Sequence, residues 1–159
     1  MPVNSEPIYY QLLSGQTTPL TALSAPTGPN PGGDLVNATP DDQSERQLWE
    51  LVVTLTPVAD EFRVAMRNKY TGFVAAAPIG DNTLGVTQEG FYPGNSSPGL
   101  LWTFAPAGDS LSHWLIRPAG RPNQSLIPGE IGSEVGIWGV DNGQLSEGWW
   151  AIADFDKGP

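Results

Sequence analysis

The sequence predicts an all-β domain of short strands grouped in three similar units, and three observations lead to this prediction. First, 19 glycines and 16 prolines among 159 residues leave little room for long helices, because both residues destabilise helix interiors. Second, short runs of alternating apolar and polar residues recur between turn residues. Third, two aromatic signatures return at a nearly constant spacing. With 39% hydrophobic residues and six tryptophans, residues 1–159 can bury the core of a single domain.

The repeat appears in two independent signatures. An aromatic residue followed two positions later by an aliphatic one begins at Tyr10, Phe62 and Trp114. A tryptophan followed two positions later by an apolar residue begins at Trp49, Trp102 and Trp150. Both signatures divide the chain into three units of about 50 residues, at about 8–56, 61–108 and 112–156.

Each unit divides into four predicted strands separated by turn residues. The predicted strands are 8–13, 20–24, 34–38 and 48–55 in unit one, 61–67, 73–77, 84–88 and 100–105 in unit two, and 112–117, 124–127, 135–140 and 149–155 in unit three. The alternation is clearest in the fourth strand of unit one, where Trp49 and Leu51 share one face while Glu50 points the other way.

Twelve strands in three fourfold, pseudo-symmetric units resemble a β-trefoil. In that fold the first and fourth strands of each unit close a six-stranded barrel, and the middle pairs form hairpins that cap one end. We therefore expect four tryptophans in the core, namely Trp49, Trp102, Trp114 and Trp150. Trp138 and Trp149 fit either a core position or a surface position used for stacking.

Composition excludes several classes of function. The chain has no cysteine and one histidine, His113, so no cysteine nucleophile and no zinc site with two histidines can form. A net charge of −10 argues against nucleic acid and anionic membranes as partners. We find no phosphate-binding loop and no carboxylate pair on separate elements, so we expect no enzyme, no catalytic residues, no cofactor and no metal. Residues 1–6 are polar and do not resemble a signal peptide, which predicts a cytoplasmic protein or one released by an unconventional route.

Two segments stand out as candidate binding loops. Pro29, Asn30 and Pro31 form a stiff segment with Asn30 displayed between the prolines, and a loop that is ordered before binding loses little entropy on binding. Asn68 and Lys69 lie in a tight connection between the first two strands of unit two, where we expect an exposed asparagine. The alternative is that these loops are ordinary connectors and that Asn68 serves its turn.

Two short runs resemble runs of the mushroom β-trefoil protease inhibitors, the mycospins and mycocypins. They are the opening strand, Ile8-Tyr9-Tyr10-Gln11-Leu12, and the run Glu45-Arg46-Gln47-Leu48-Trp49. This resemblance implies target proteases as partners. It implies that Asn30 faces serine proteases and that Asn68 faces asparaginyl endopeptidases. It also implies that the loops 14–19 and 39–46 face papain-like proteases.

A second resemblance supports a different function. Gln47-Leu48-Trp49 is similar to the Gln-x-Trp motif of ricin-B-like lectins, which implies a glycan partner. Asp34, earlier in the same unit, is the acidic residue that could join Gln47 in a sugar site. The alternative for Gln47 is a structural role, in which its side chain bonds the backbone where a strand begins. Protease inhibition and carbohydrate binding therefore both remain open.

Overall fold

The structure, a computed structural model, describes residues 8–14, 20–26, 34–41, 44–54, 63–77, 83–84, 86–90, 98–106, 113–119, 124–139 and 150–154. The strands within these ranges are β1 (Tyr9–Ser14), β2 (Ala22–Ser24), β3 (Val36–Ala38), β4 (Trp49–Thr54), β5 (Arg63–Asn68), β6 (Val74–Ala76), β7 (Thr83–Leu84), β8 (Thr87–Glu89), β9 (Trp102–Pro106), β10 (Trp114–Pro118), β11 (Gln124–Ile127), β12 (Gly136–Gly139) and β13 (Trp150–Asp154). Two 3-10 turns, Glu45–Gln47 and Pro98–Leu100, precede β4 and β9. No helix in the described ranges is long and apolar enough to cross a membrane.

The described ranges contain thirteen strands because one predicted strand is divided. The third strand of unit two, predicted at 84–88, appears as β7 and β8. β7 pairs with β12, whereas β8 pairs with β6. The two halves therefore belong to different sheets, and one straight strand could not pair with both neighbours.

Six strands form a closed barrel, as expected. Following the antiparallel ladders around the ring gives the order β1, β4, β5, β9, β10, β13 and back to β1. These are the first and fourth strands of the three predicted units. Closure leaves these six strands without a free edge, which would otherwise invite pairing with another chain.

The ladders correct the predicted alignment of unit two. Trp49 lies opposite Tyr10, Trp102 lies opposite Val64, and Trp150 lies opposite Trp114. The counterpart of Tyr10 and Trp114 is thus Val64 and not Phe62, which lies outside the described residues. The alignment based on Phe62 is wrong by two residues. A two-residue shift keeps every side chain on the same face of a strand, so hydrophobic alternation cannot detect it.

Three tryptophans at the starts of the fourth strands hold the hairpins to the barrel. Trp49, Trp102 and Trp150 are fully buried. Their indole N–H groups donate to the carbonyl oxygens of Leu23, Ala75 and Leu126 at 3.0, 3.1 and 2.8 Å. Each bond therefore joins a fourth strand to the second strand of the same predicted unit, and the polar atom of each buried ring is satisfied.

Trp114 departs from the expected core position. Its side chain is only partly buried, as is that of Tyr10 at the matching ladder position. Val64, the third residue at this ladder position, is smaller and is buried. Trp149 and the side chain of Trp138 lie outside the described residues.

The hairpins β2–β3, β6–β8 and β11–β12 lie outside the barrel. They contact one another just before β3, β8 and β12 begin. Leu35, Val86 and Val135 are fully buried there. The Leu35 N–H donates to the Val86 carbonyl at 2.7 Å, and the Val135 N–H donates to the Leu35 carbonyl at 3.2 Å. Their side chains join the tryptophans in one core.

Candidate binding surface at the turn after β5

Asn68 ends β5 and fixes the turn that follows. Its side-chain Nδ2 donates to the carbonyl oxygen of Arg46 at 2.8 Å, and its Oδ1 accepts from the backbone N–H groups of Tyr70 and Thr71 at 3.0 and 3.1 Å. The residue is 0% exposed. The expectation of an exposed Asn68 is therefore wrong, because the amide bonds the backbone of two neighbouring segments instead of facing solvent. Its geometry is that of the turn-serving alternative.

The turn itself is closed by a glycine. The Gly72 N–H donates to the Asn68 carbonyl at 2.9 Å, and the Asn68 N–H donates to the Phe73 carbonyl at 2.8 Å. Gly72 has a φ of +75°, a conformation that strains residues with a Cβ. The residues displayed by this turn are therefore Lys69 and Tyr70, which are both exposed.

Five side chains surround the turn and form a surface that we call the turn patch: Tyr9, Glu45, Arg46, Lys69 and Tyr70. The Arg46 guanidinium carbon lies 4.1 Å from the centre of the Tyr70 ring, and the Lys69 Nζ lies 4.9 Å from the centre of the Tyr9 ring. Lys69 also pairs with the Glu45 carboxylate at 3.3 Å. Exposed contacts of these two kinds each contribute about 1 kcal/mol or less, so they orient the side chains more than they stabilise the fold.

The backbone beneath Arg46 is held firmly. Its carbonyl oxygen accepts from the Ala25 N–H at 3.0 Å as well as from Asn68. The Arg46 side chain is partly buried, and its Nε is a buried atom without a hydrogen-bond partner among the described residues. Sequence reasoning missed the pairing of Arg46 with Tyr70. Tyr70 adjoins the Asn68-Lys69 pair that the sequence indicated, but no local pattern indicates that the Arg46 side chain lies against the Tyr70 ring.

Gln47 has a structural role. Its Nε2 donates to the Thr39 carbonyl at 2.8 Å, and its Oε1 accepts from the Asp41 N–H at 2.8 Å and from the Gln11 Nε2 at 3.2 Å. The side chain is 4% exposed. These bonds tie the 39–41 segment to the start of β4, as the structural alternative expected, and leave Gln47 too buried to act as a sugar ligand.

Asp34 lies elsewhere, beside unit three. It is partly buried, and its carboxyl is hydrogen-bonded to the carboxyl of Glu134. This hydrogen bond and the charge of Asp34 both raise the pKa of the Glu134 carboxyl. Glu134 in turn forms a bridge with Val36. The structure therefore does not bring Asp34 and Gln47 into one site, because the contacts of Asp34 are across the boundary between units one and three.

The remaining candidates lie outside the described residues or form no site within them. Pro29, Asn30 and Pro31 all fall outside the described ranges. In the part of the chain that the structure describes, no group of three or more histidine, cysteine, aspartate or glutamate side chains could hold a metal ion. The turn patch combines one exposed aromatic ring, that of Tyr70, with charged side chains.

Comparisons with known proteins support the fold. No family model matches the sequence, and no curated protein matches it. The designed threefold-symmetric protein ThreeFoil matches with a TM-score of 0.69 at 16% identity, over 92% of this chain and 98% of that one. The Macrolepiota procera ricin B-like lectin in complex with lactose matches with a TM-score of 0.65 at 14% identity, over 96% and 99%.

A lectin from Polyporus squamosus, bound to the sialylated epitope Neu5Aca2-6Galb1-4GlcNAc, matches with a TM-score of 0.64 at 17% identity. The match covers 96% of this chain and half of that lectin. A mosquitocidal holotoxin also matches, with a TM-score of 0.68 at 12% identity, but over only 17% of its length. At these identities the likeness concerns the fold alone. Together with the closed six-stranded barrel, it defines the chain as a β-trefoil protein.

Proposed function

We propose that this β-trefoil is a carbohydrate-binding protein without catalytic activity of its own, and that the turn patch is its sugar site. The observation that carries this proposal is Tyr70, which is 50% exposed while the Arg46 guanidinium lies over its ring. A half-exposed ring that is held on one face leaves the other face for a ligand. The trefoils of similar structure include a lectin solved with lactose and a lectin solved with a sialylated trisaccharide.

The chemistry of the patch suits a sugar ring. The C–H bonds on one face of a pyranose pack against an aromatic face, and hydroxyl groups at the rim pair with charged and polar side chains. Glu45 and Lys69, which pair with each other in the patch, supply an acceptor and a donor. Asn68 fixes the backbone of both Tyr70 and Arg46 before any ligand arrives, so little conformational entropy is lost on binding.

The test is a titration of the protein with neutral and acidic mono- and oligosaccharides, followed by ligand-observed NMR. Lactose is the first ligand to test. We expect Tyr70→Ala to weaken binding about tenfold or more, which is the order of an aromatic contact, and Tyr70→Phe to retain it. Ile131→Ala is the matched control, because Ile131 is 46% exposed and lies in the turn between β11 and β12, outside the five residues of the patch.

Two results would overturn the proposal. One is that no sugar binds at millimolar concentration. The other is that sugars bind wild type and Tyr70→Ala equally well, which would place the binding site elsewhere on the trefoil.

Protease inhibition stays a prediction from the sequence. Its serine-protease form depends on Pro29, Asn30 and Pro31, and its asparaginyl-endopeptidase form requires the Asn68 side chain to leave three hydrogen bonds. Lys69 is exposed, but its amine is engaged by Glu45 and Tyr9. Sugar binding needs no such rearrangement, so it is the function that the geometry favours.

We also propose that the three units are related by pseudo-threefold symmetry, supported by the three recurring indole bonds. Arg46 matches Gly99, because the Arg46 carbonyl accepts from the Ala25 N–H as the Gly99 carbonyl does from the Ala77 N–H. Lys69 matches Ala119, because the Lys69 N–H donates to the Leu48 carbonyl as the Ala119 N–H does to the Leu101 carbonyl. By the same offset, the sequence has Gly120 where Tyr70 would stand. The turn patch then has no equivalent at the matched positions between units two and three.

A further inference from the structure

The Arg46 guanidinium stands out among the cations near the turn. Lys69 pairs with Glu45 at 3.3 Å, and Arg67 pairs with Glu50 at 3.5 Å. Arg46 has no carboxylate partner among the described residues, and its Nε forms no hydrogen bond with them. It lies instead over the Tyr70 ring. In a chain of net charge −10 with 17 acidic residues, an arginine that pairs with none of the described carboxylates is a candidate anion-binding group.

Its stacked geometry does not prevent anion binding. Stacking on an aromatic ring uses the face of the guanidinium, whereas pairing with a carboxylate uses the N–H donors along its edge. Both contacts can therefore exist at once. The ring also limits the freedom of the guanidinium, so less rotamer entropy is lost when a carboxylate binds.

The charge within the patch favours the same kind of ligand. Arg46 and Lys69 are cations, while Glu45 is the patch's carboxylate, and it is already paired with Lys69. The patch therefore carries a net positive charge on an acidic protein. At physiological ionic strength, charges more than about 8 Å away are largely screened, so a ligand at the patch responds mainly to these nearby groups.

From these observations we infer that the turn patch selects carboxylate-bearing sugars, with Arg46 pairing the carboxylate while Tyr70 supports a sugar ring. This inference rests on the proposed sugar-binding function and names its ligand class. An oligosaccharide can make both contacts when one ring lies on the open face of Tyr70 and an acidic unit extends past the edge of the ring to the guanidinium.

The experiment compares acidic oligosaccharides with their methyl esters, which keep the shape of the sugar and remove its charge. The probes are sialyllactose, trigalacturonate and a glucuronate disaccharide, each as the free acid and as the methyl ester, titrated calorimetrically at 50 and 300 mM NaCl. We expect at least one acid to bind wild type about tenfold more tightly than its ester, and this preference to shrink at the higher salt concentration.

Two variants locate the effect. Arg46→Gln keeps a polar side chain but removes the charge, and we expect its preference for the acid to fall to within about twofold. Arg67→Gln removes the same charge from an arginine that pairs with Glu50, so we expect its preference to match wild type. Thermal melts establish that both variants are folded.

The outcomes distinguish the two proposals. If neutral sugars and esters bind as tightly as the acids, sugar binding stands and the acidic preference is overturned. If an acid is preferred but Arg46→Gln keeps the whole preference, the role of Arg46 is overturned. If no sugar binds at all, both the ligand class and the proposed function are overturned.

Discussion

Asn68 illustrates how one residue type can indicate two different roles. An asparagine in a tight, basic turn fits a displayed protease ligand, but it also fits a residue that bonds its own turn. The side chain here bonds three backbone groups, one on the 3-10 turn before β4 and two within the turn after β5. It therefore acts as a positioning residue that holds Arg46 and Tyr70 in place.

We predict that Asn68→Ala destabilises the fold by about 2 kcal/mol or more, since a buried backbone group that loses its partner costs about 1–3 kcal/mol. Denaturant unfolding measures the change. Asn68→Asp is the comparison, because it keeps an acceptor for the Tyr70 and Thr71 N–H groups but loses the donor to Arg46, so we expect an intermediate loss. An unchanged midpoint in Asn68→Ala would show that the side chain is free and restore its role as a displayed residue.

The Glu134 carboxyl gives the stability a pH dependence. The hydrogen bond and the charge of Asp34 raise the pKa of Glu134 above its ordinary value of 4.5, so the folded protein binds this proton more tightly than the unfolded chain. The resulting stabilisation is fully present below pH 4.5 and is lost as the pH rises through the raised pKa.

The measurement is the melting temperature of wild type and Glu134→Gln between pH 3.5 and 7.5. Because glutamine stays neutral, we expect the stability of wild type relative to the variant to fall as the pH rises. Glu130→Gln, which removes a carboxylate from the same loop between β11 and β12, is the control for the loss of a charge there. A constant difference between wild type and Glu134→Gln across the range would contradict the raised pKa of Glu134.

At the scale of elements, the fourth strands hold the barrel and the hairpins together. The tryptophans that begin β4, β9 and β13 each fill the core and reach the second strand of their own unit with an indole N–H. Neither contact depends on the residues between the strands. This explains why a signature of one tryptophan per unit marks the repeat better than the turns do.

We predict that Trp49→Ala destabilises the fold by about 3–5 kcal/mol, as truncations of large buried aromatic side chains do. Trp49→Phe keeps most of the packing but leaves the Leu23 carbonyl without its donor, so we expect about 1–3 kcal/mol. Chemical denaturation gives both values. Losses of equal size in the two variants would mean that the indole bond, and not the packing, holds the strand.

For the whole molecule, the differences between the three predicted units matter most for function. The units share a barrel, a core and three indole bonds, but under the proposed symmetry the sequence has Gly99 and Gly120 at the positions that match Arg46 and Tyr70. A trefoil can in principle carry a site in each unit. Here the side chains of the turn patch do not recur at that matched pair of positions.

We therefore predict one sugar per chain at the turn patch. Calorimetric titration should give a stoichiometry near one, and Tyr70→Ala should remove that whole signal. Ile131→Ala should leave both the stoichiometry and the affinity unchanged. Two or three equivalent sites would show that binding does not depend on the turn patch.

The sequence by itself determined the strand class and the burial of Trp49, Trp102 and Trp150, because side-chain alternation and turn chemistry act over a few residues and are readable locally. It also indicated the Asn68-Lys69 turn and the structural alternative for Gln47. Only the tertiary structure decided the register of unit two, since a shift of two residues leaves every apolar side chain on the same face.

The tertiary structure also decided which polar residues meet. It buried Asn68, joined Arg46 to Tyr70 across two segments, and placed Asp34 against Glu134 instead of Gln47. These contacts join residues far apart in the chain, where no local period relates one position to the other. Closure of the barrel brings such residues together, so the candidate site depends on long-range packing while the strands that carry it depend on local pattern.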